Sequence, residues 1–145
     1  MMISIFENEL VVCELDDALP VLRHRWKSEP SGDDFKNNLQ HVLEEYQTLK
    51  KSYAHLAWLA DTTLLGELDE GIEYWLVSDW EDLLFNKAGV RVHAVILGAS
   101  IFADYPMEKF KSDAEEKFKE YNVHVGVFSN EKDAYHWIQR QQAGL

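Results

Sequence analysis

From Phe35 to the C-terminus the sequence alternates between two hydrophobic periods, and that alternation restricts the fold more than any other feature. Phe35, Leu39, Val42, Leu43, Tyr46 and Leu49 recur at three- and four-residue spacing, which predicts an amphipathic helix running to about residue 53. Ala54–Ala60 is a short, mostly apolar run, read as a strand covered on both faces. Helical spacing returns from about Asp69 to Asn86 through Ile72, Trp75, Leu76, Trp80, Leu83 and Leu84, and Ala88-Gly89 ends it. Val90–Leu97 reads as the next strand, closed by Gly98. Pro106 introduces a helix bearing Met107, Phe110, Ala114, Phe118 and Tyr121, and Asn122 stops it. Val123–Phe128 is the last strand, and Ser129-Asn130 cap a terminal helix with Ala134, Trp137 and Ile138. Strands alternating with helices in this way call for a parallel or mixed sheet joined by helical crossovers.

The first third is richer in strands. Ile3–Phe6 and Glu9–Leu15 are separated by Glu7-Asn8, a tight hairpin in expectation, and Pro20–Lys27 is a third strand. Ser31 with Asp34 three residues on marks the start of the first helix, kept apart from the preceding strand by Pro30 and Gly32. The order is then βββ-α-β-α-β-α-β-α. It describes one α/β domain over residues 1–145, a mixed sheet of four to six strands with about four helices against it.

Charge narrows the partners. The net charge is -12, so phosphate backbones and anionic lipid surfaces are both excluded as expected partners: no nucleic acid, no membrane. The longest apolar runs are too short to span a bilayer, and the N-terminus lacks a signal-peptide pattern. The lone Cys13 lies in an apolar strand followed by Glu14, Asp16 and Asp17, which reads as a buried thiol in a reducing cytoplasm. The basic run Arg23-His24-Arg25-Trp26-Lys27, taken as a strand, puts Arg23, Arg25 and Lys27 on one face and His24 and Trp26 on the other. A solvated sheet edge or face is the expectation there, with an anion-binding patch as the alternative.

Specific catalytic signatures are lacking: the sequence has no Walker A loop, GxGxxG, HExxH, G-x-S-x-G or paired cysteines. No cofactor and no metal site is expected. His93 and His124 fall in the last two strands, and their rings could meet if those strands are neighbours, but no third ligand is indicated. Trp75, Trp80 and Trp137 sit at or beside core spacing, and Trp26 and Trp58 lie in strands, so core packing accounts for most of the tryptophans. Loops beyond the carboxyl ends of parallel strands are the usual ligand positions in such sheets. Here they hold the candidate site residues, Asp61, Thr62 and Thr63 in one loop and Ser100 in another, as a switch or ligand loop without a partnered base.

Trp26 ahead of the first helix, "WLADTTLLGELDEGIEYWLV", "AGVRVHAVILGASIFADYPMEKF" and "NVHVGVFSNEKDAYHWI" together resemble the STAS/SEC14-like superfamily, specifically its small bacterial SpoIIAA-like proteins, over residues 20–140. The resemblance implies a sheet of four or five strands and a non-enzymatic interaction or regulatory module, with a protein partner or a second copy of itself. A pocket for a small molecule or lipid is the alternative it leaves. It also implies a phosphorylatable hydroxyl near the helix after the matching strand. Asp61-Thr62-Thr63 echoes such a site, although the helix start itself, Leu68-Asp69-Glu70-Gly71, carries no hydroxyl. Replacing both threonines by alanine is expected to preserve the fold and cost at most about 1–2 kcal/mol, a range set by loss of a local backbone cap; chemical denaturation checks it.

Overall fold

Asn8 makes the first turn. Its side-chain oxygen accepts from the amides of Leu10 and Val11 at 2.9 and 3.0 Å, folding β2 (Val11–Asp16) back along β1 (Met2–Glu7). β3 (Val21–Trp26) returns antiparallel to β2. The computed structural model describes residues 1–98 and 107–145, with the backbone alone at 107–110. Beyond β3 come α1 (Gly32–Lys50), β4 (Ala57–Thr62), α2 beginning at Glu70, β5 (Val92–Leu97), α3 (Met107–Lys117), β6 (His124–Phe128) and α4 (Glu131–Ala143). The six strands lie in chain order, with β3, β4, β5 and β6 parallel to one another, so the sheet is mixed.

Because each crossover steps one strand in the same direction, crossovers of one hand bring α1, α2 and α3 to the same face. The main core matches that geometry: Leu22, Trp26, Trp58, Ala60 and Val125 of the sheet meet Phe35, Val42 and Tyr46 of α1, Ile72 of α2 and Ala114 of α3. The smaller core on the opposite face is Val21, Ala57, Leu59, Val92, Ala94 and Ile96 under Ala134 and Ile138 of α4. β4 and β5 are thereby covered on both sides, which is why their sequences are nearly all apolar.

Local chemistry sets the boundaries. The Ser31 hydroxyl accepts from the Asp34 amide at 3.2 Å, and the Asn130 side chain accepts from the Asp133 amide at 2.9 Å, capping α1 and α4 as their sequences lead one to expect. Asn122 stops the segment after α3 by taking the left-handed conformation at φ 57°, which asparagine tolerates. β4 starts later than its apolar run suggests, because Tyr53 and Leu56 are used in turns that close α1: their amides bond Leu49 and Tyr53 carbonyls at 3.0 and 3.1 Å.

α2 departs furthest from expectation. Asp69 caps it by accepting from the Ile72 amide at 2.8 Å, and Glu70–Trp75 are ordinary α-helix. Leu76–Trp80 and Asp82–Lys87 then form wider turns, with Glu81 bonded to Leu76 and Ala88 to Leu83 across five residues instead of four. Cations complement the carbonyls at its end: Arg91 donates to Phe85 at 2.8 Å and Lys50 to Gly89 at 3.1 Å.

β3 is an interior strand, not a solvated edge. Its basic face is neutralised from within: Arg23 lies 3.8 Å from Glu14 and donates to the Glu131 carboxylate and to Tyr135 at 3.2 Å. Gln142 ties the other end of α4 to the Pro20 and His55 carbonyls at 2.8 and 3.1 Å.

On the opposite face, the buried Tyr46 hydroxyl donates to the Leu56 carbonyl at 2.7 Å, joining α1 to the start of β4. Tyr46→Phe leaves that carbonyl without its partner and is expected to cost about 1–3 kcal/mol in urea unfolding, the desolvation penalty of an orphaned buried acceptor.

Candidate functional site

Asp61, Thr62 and Thr63 stand together where β4 ends. The strand extends through Thr62, so two of the three belong to the sheet: Asp61 pairs in register with Arg25 and Ile96, and Thr62 with Leu97. The Thr62 hydroxyl donates to the Ile96 carbonyl at 2.7 Å, a cross-strand bond that fixes its rotamer. Asp61 accepts from the Thr63 amide at 3.0 Å and from the Thr63 hydroxyl at 2.6 Å, closing a tight side-chain turn. A Cβ added at Gly98 would stand 2.7 Å from the Thr63 carbonyl oxygen, so the absence of a side chain there lets the turn sit against the end of β5. Thr63 is exposed, and Thr62 is half-buried. Ser100, the fourth candidate, lies outside the described residues.

Deeper in the sheet is an assembly that the candidates did not include. Alternation along β3 turns Leu22, His24 and Trp26 to the α1–α2 side, and Trp58 and His93 on the neighbouring parallel strands stand level with Leu22, two residues from His24. The His24 ring meets Trp58 edge-on at 5.3 Å and Trp26 at 6.2 Å. Trp58 stacks over His93 at 6.4 Å and contacts Tyr46 at 5.7 Å and Trp80 at 5.8 Å. Trp80 in turn stacks on Trp75 at 5.5 Å, Trp26 on Phe35 at 5.2 Å, and Phe85 caps His93 at 5.7 Å.

His24 is 1% exposed, and neither ring nitrogen has a hydrogen-bond partner among the described residues. Burial pushes the pKa of His24 down to about 3. Burial does the same to His93, also to about 3, with His24 adding to the effect. Both imidazoles are therefore neutral near pH 7, each offering one donor and one acceptor in an aromatic surrounding. Burial drives the Cys13 thiol up to about 12, leaving it un-ionised. Glu81 is 3% exposed on the inner side of α2; burial raises its pKa, partly offset by Lys117 at 3.5 Å.

β5 and β6 are neighbours, yet His93 and His124 do not meet. His124 is level with Val92, and His93 with Val125, so the two rings point to opposite faces of the sheet. Among the described residues no group of three histidines, cysteines or carboxylates is arranged to hold a metal ion, and no helix is long and apolar enough to cross a membrane.

Period-two alternation in β3 already places His24 beside Trp26. What sequence lacked was the strand order that sets Trp58 between His24 and His93.

The outer side of α2 contrasts with its inner side. Ile72 and Trp80 are buried, whereas Tyr74 is 74% and Val77 51% exposed, one helical turn apart on the surface. Compared with protein-family models, with curated proteins and with solved structures, the chain matches none of them.

The buried histidines set the acid response. Between about pH 3 and pH 6.5 the unfolded chain binds protons that the folded chain refuses, so stability falls as pH drops through this window. At pH 5 the loss is expected to be about 2 kcal/mol for each histidine held neutral, given an unfolded pKa near 6.5. Urea unfolding at pH 7.5 and pH 5 measures it, and His24→Phe should remove His24's share.

Proposed function

We propose that this chain is a non-enzymatic interaction module of the STAS/SEC14-like, SpoIIAA-like kind, working in the cytoplasm on a protein partner or a second copy of itself. The observation that carries this reading is the pair Tyr74 and Val77, large side chains held in solvent on a helix whose other side is locked into the core. The mixed sheet with single crossovers on one face is in keeping with the resemblance. Of the two hydroxyls, Thr63 is the one a kinase could reach, since it is exposed and bonded only within its own turn, whereas Thr62 is half-buried and tied to β5. Phosphate on Thr63 would meet the Asp61 carboxylate at once and open the turn by repulsion.

A second reading has its own support. His24, whose two ring nitrogens have no partner among the described residues and which lies among tryptophans, has the polar-in-aromatic character of a small-ligand contact.

Native mass spectrometry and cross-linking of protein isolated from its own host, with phosphosite mapping, tests both. The module reading expects a defined complex with a protein or second copy. A monomer free of any protein partner under cross-linking would sink it. A co-purifying small molecule displaced on changing His24 would favour the second reading.

A further inference from the structure

Residues 52–86 contain no lysine or arginine but eight carboxylates: Asp61, Glu67, Asp69, Glu70, Glu73, Asp79, Glu81 and Asp82. Glu81 is turned inward to Lys117. Glu67, Asp69, Glu70 and Asp79 are exposed in this helix or just before it, Glu73 is half-exposed, and none of the five is in an ion pair among the described residues. The cations recorded against this helix are engaged elsewhere: Lys36 of α1 lies 5.5 Å from the Trp75 ring on the flank toward α1, Lys117 meets the inward Glu81, and Arg91 and Lys50 bond carbonyls at the helix end. The outer side of α2 therefore combines two apolar anchors with a surplus of uncompensated negative charge.

Resting on the interaction-module reading, we propose that this surface docks a basic amphipathic segment of a partner protein. Its apolar side would lie on Tyr74 and Val77, and its lysines or arginines would meet Glu70, Glu73, Asp79 and the loop acids Glu67 and Asp69. Charge decides among occupants. A second copy would bring the same negative strip against its own likeness, which disfavours pairing through this face. Nucleic acid and anionic lipid are repelled for the same reason. A basic helix fits both halves of the surface, since apolar anchors give adhesion and the opposite charge gives orientation and rate. The wide turns that begin at Leu76 add weight, because such turns cluster at functional positions in helices.

The test uses the full chain and two synthetic probes of identical lysine–leucine composition. One gathers its leucines on a single helical side; the other distributes them evenly. Binding is read by tryptophan fluorescence and by backbone amide NMR shifts. The proposal expects saturable binding of the first probe, amide shifts grouped over residues 67–82, and binding of the second weaker by about tenfold or more, the scale of a lost anchor contact. Tyr74→Ser with Val77→Ser should abolish the preference between probes. Glu70→Gln with Glu73→Gln should flatten the salt dependence while leaving the rest of the amide spectrum unmoved. Equal binding of both probes, or shifts scattered over other faces, overturns the inference. If the cross-linked complex from the host survives the α2 substitutions, this surface is wrong and the module reading stands; if no complex exists, the reading beneath it has failed.

Discussion

Burial of Trp58 in the middle of β4 is the constraint around which the rest of the molecule is arranged. Its ring touches His24, Tyr46, Trp80 and His93, and so joins three strands to α1 and to the wide-turned part of α2. Ring contacts of this kind are worth about 0.5–1.5 kcal/mol each beyond the area they bury. Leaving the two nitrogens of His24 without a partner among the described residues costs about 1–3 kcal/mol per unpaired group. Four such contacts to Trp58 together with the burial of the indole are large enough to hold an imidazole where it would otherwise be unwelcome. The histidine is a passenger of the tryptophan.

β3 carries two incompatible surfaces, and the fold satisfies both. One side belongs to the aromatic assembly. The other presents Arg23 and Arg25, and α4 returns across the sheet with Glu131 and Tyr135 to meet Arg23. The last helix thus serves as an electrostatic cover for a strand more than a hundred residues earlier, besides packing Ala134 and Ile138 on the small core. A chain of net charge -12 has few cations to spare, and here one of them is placed where it binds the two ends of the sequence together.

Most of the element order was legible in the sequence because helix and strand differ in hydrophobic period, and because Ser31, Asn122 and Asn130 act on the backbone within a few residues of themselves. Features that depend on neighbours across the sheet were not legible. Thr62 looked like a loop hydroxyl, and only adjacency of β5 turns it into a cross-strand donor. His93 and His124 looked like a pair, and a register offset of one residue separates them by the thickness of the sheet. The acidic, apolar surface of α2 was half visible: Tyr74 falls off the apolar stripe in sequence, but its exposure follows from packing alone.

The wide turns of α2 also explain a spacing that looks wrong on paper. Trp75 and Trp80 are five residues apart, and at 3.6 residues per turn an α-helix would rotate them well away from each other. They stack instead, 5.5 Å apart and 25° from parallel, because five residues make up little more than one wide turn. The helix thereby holds a residue in reserve. Shortening it by one between the two rings would convert the wide turn to an ordinary one and leave both indoles on the same side. A change of length that would scramble the faces of most helices is one that the wide turn between Trp75 and Trp80 can absorb.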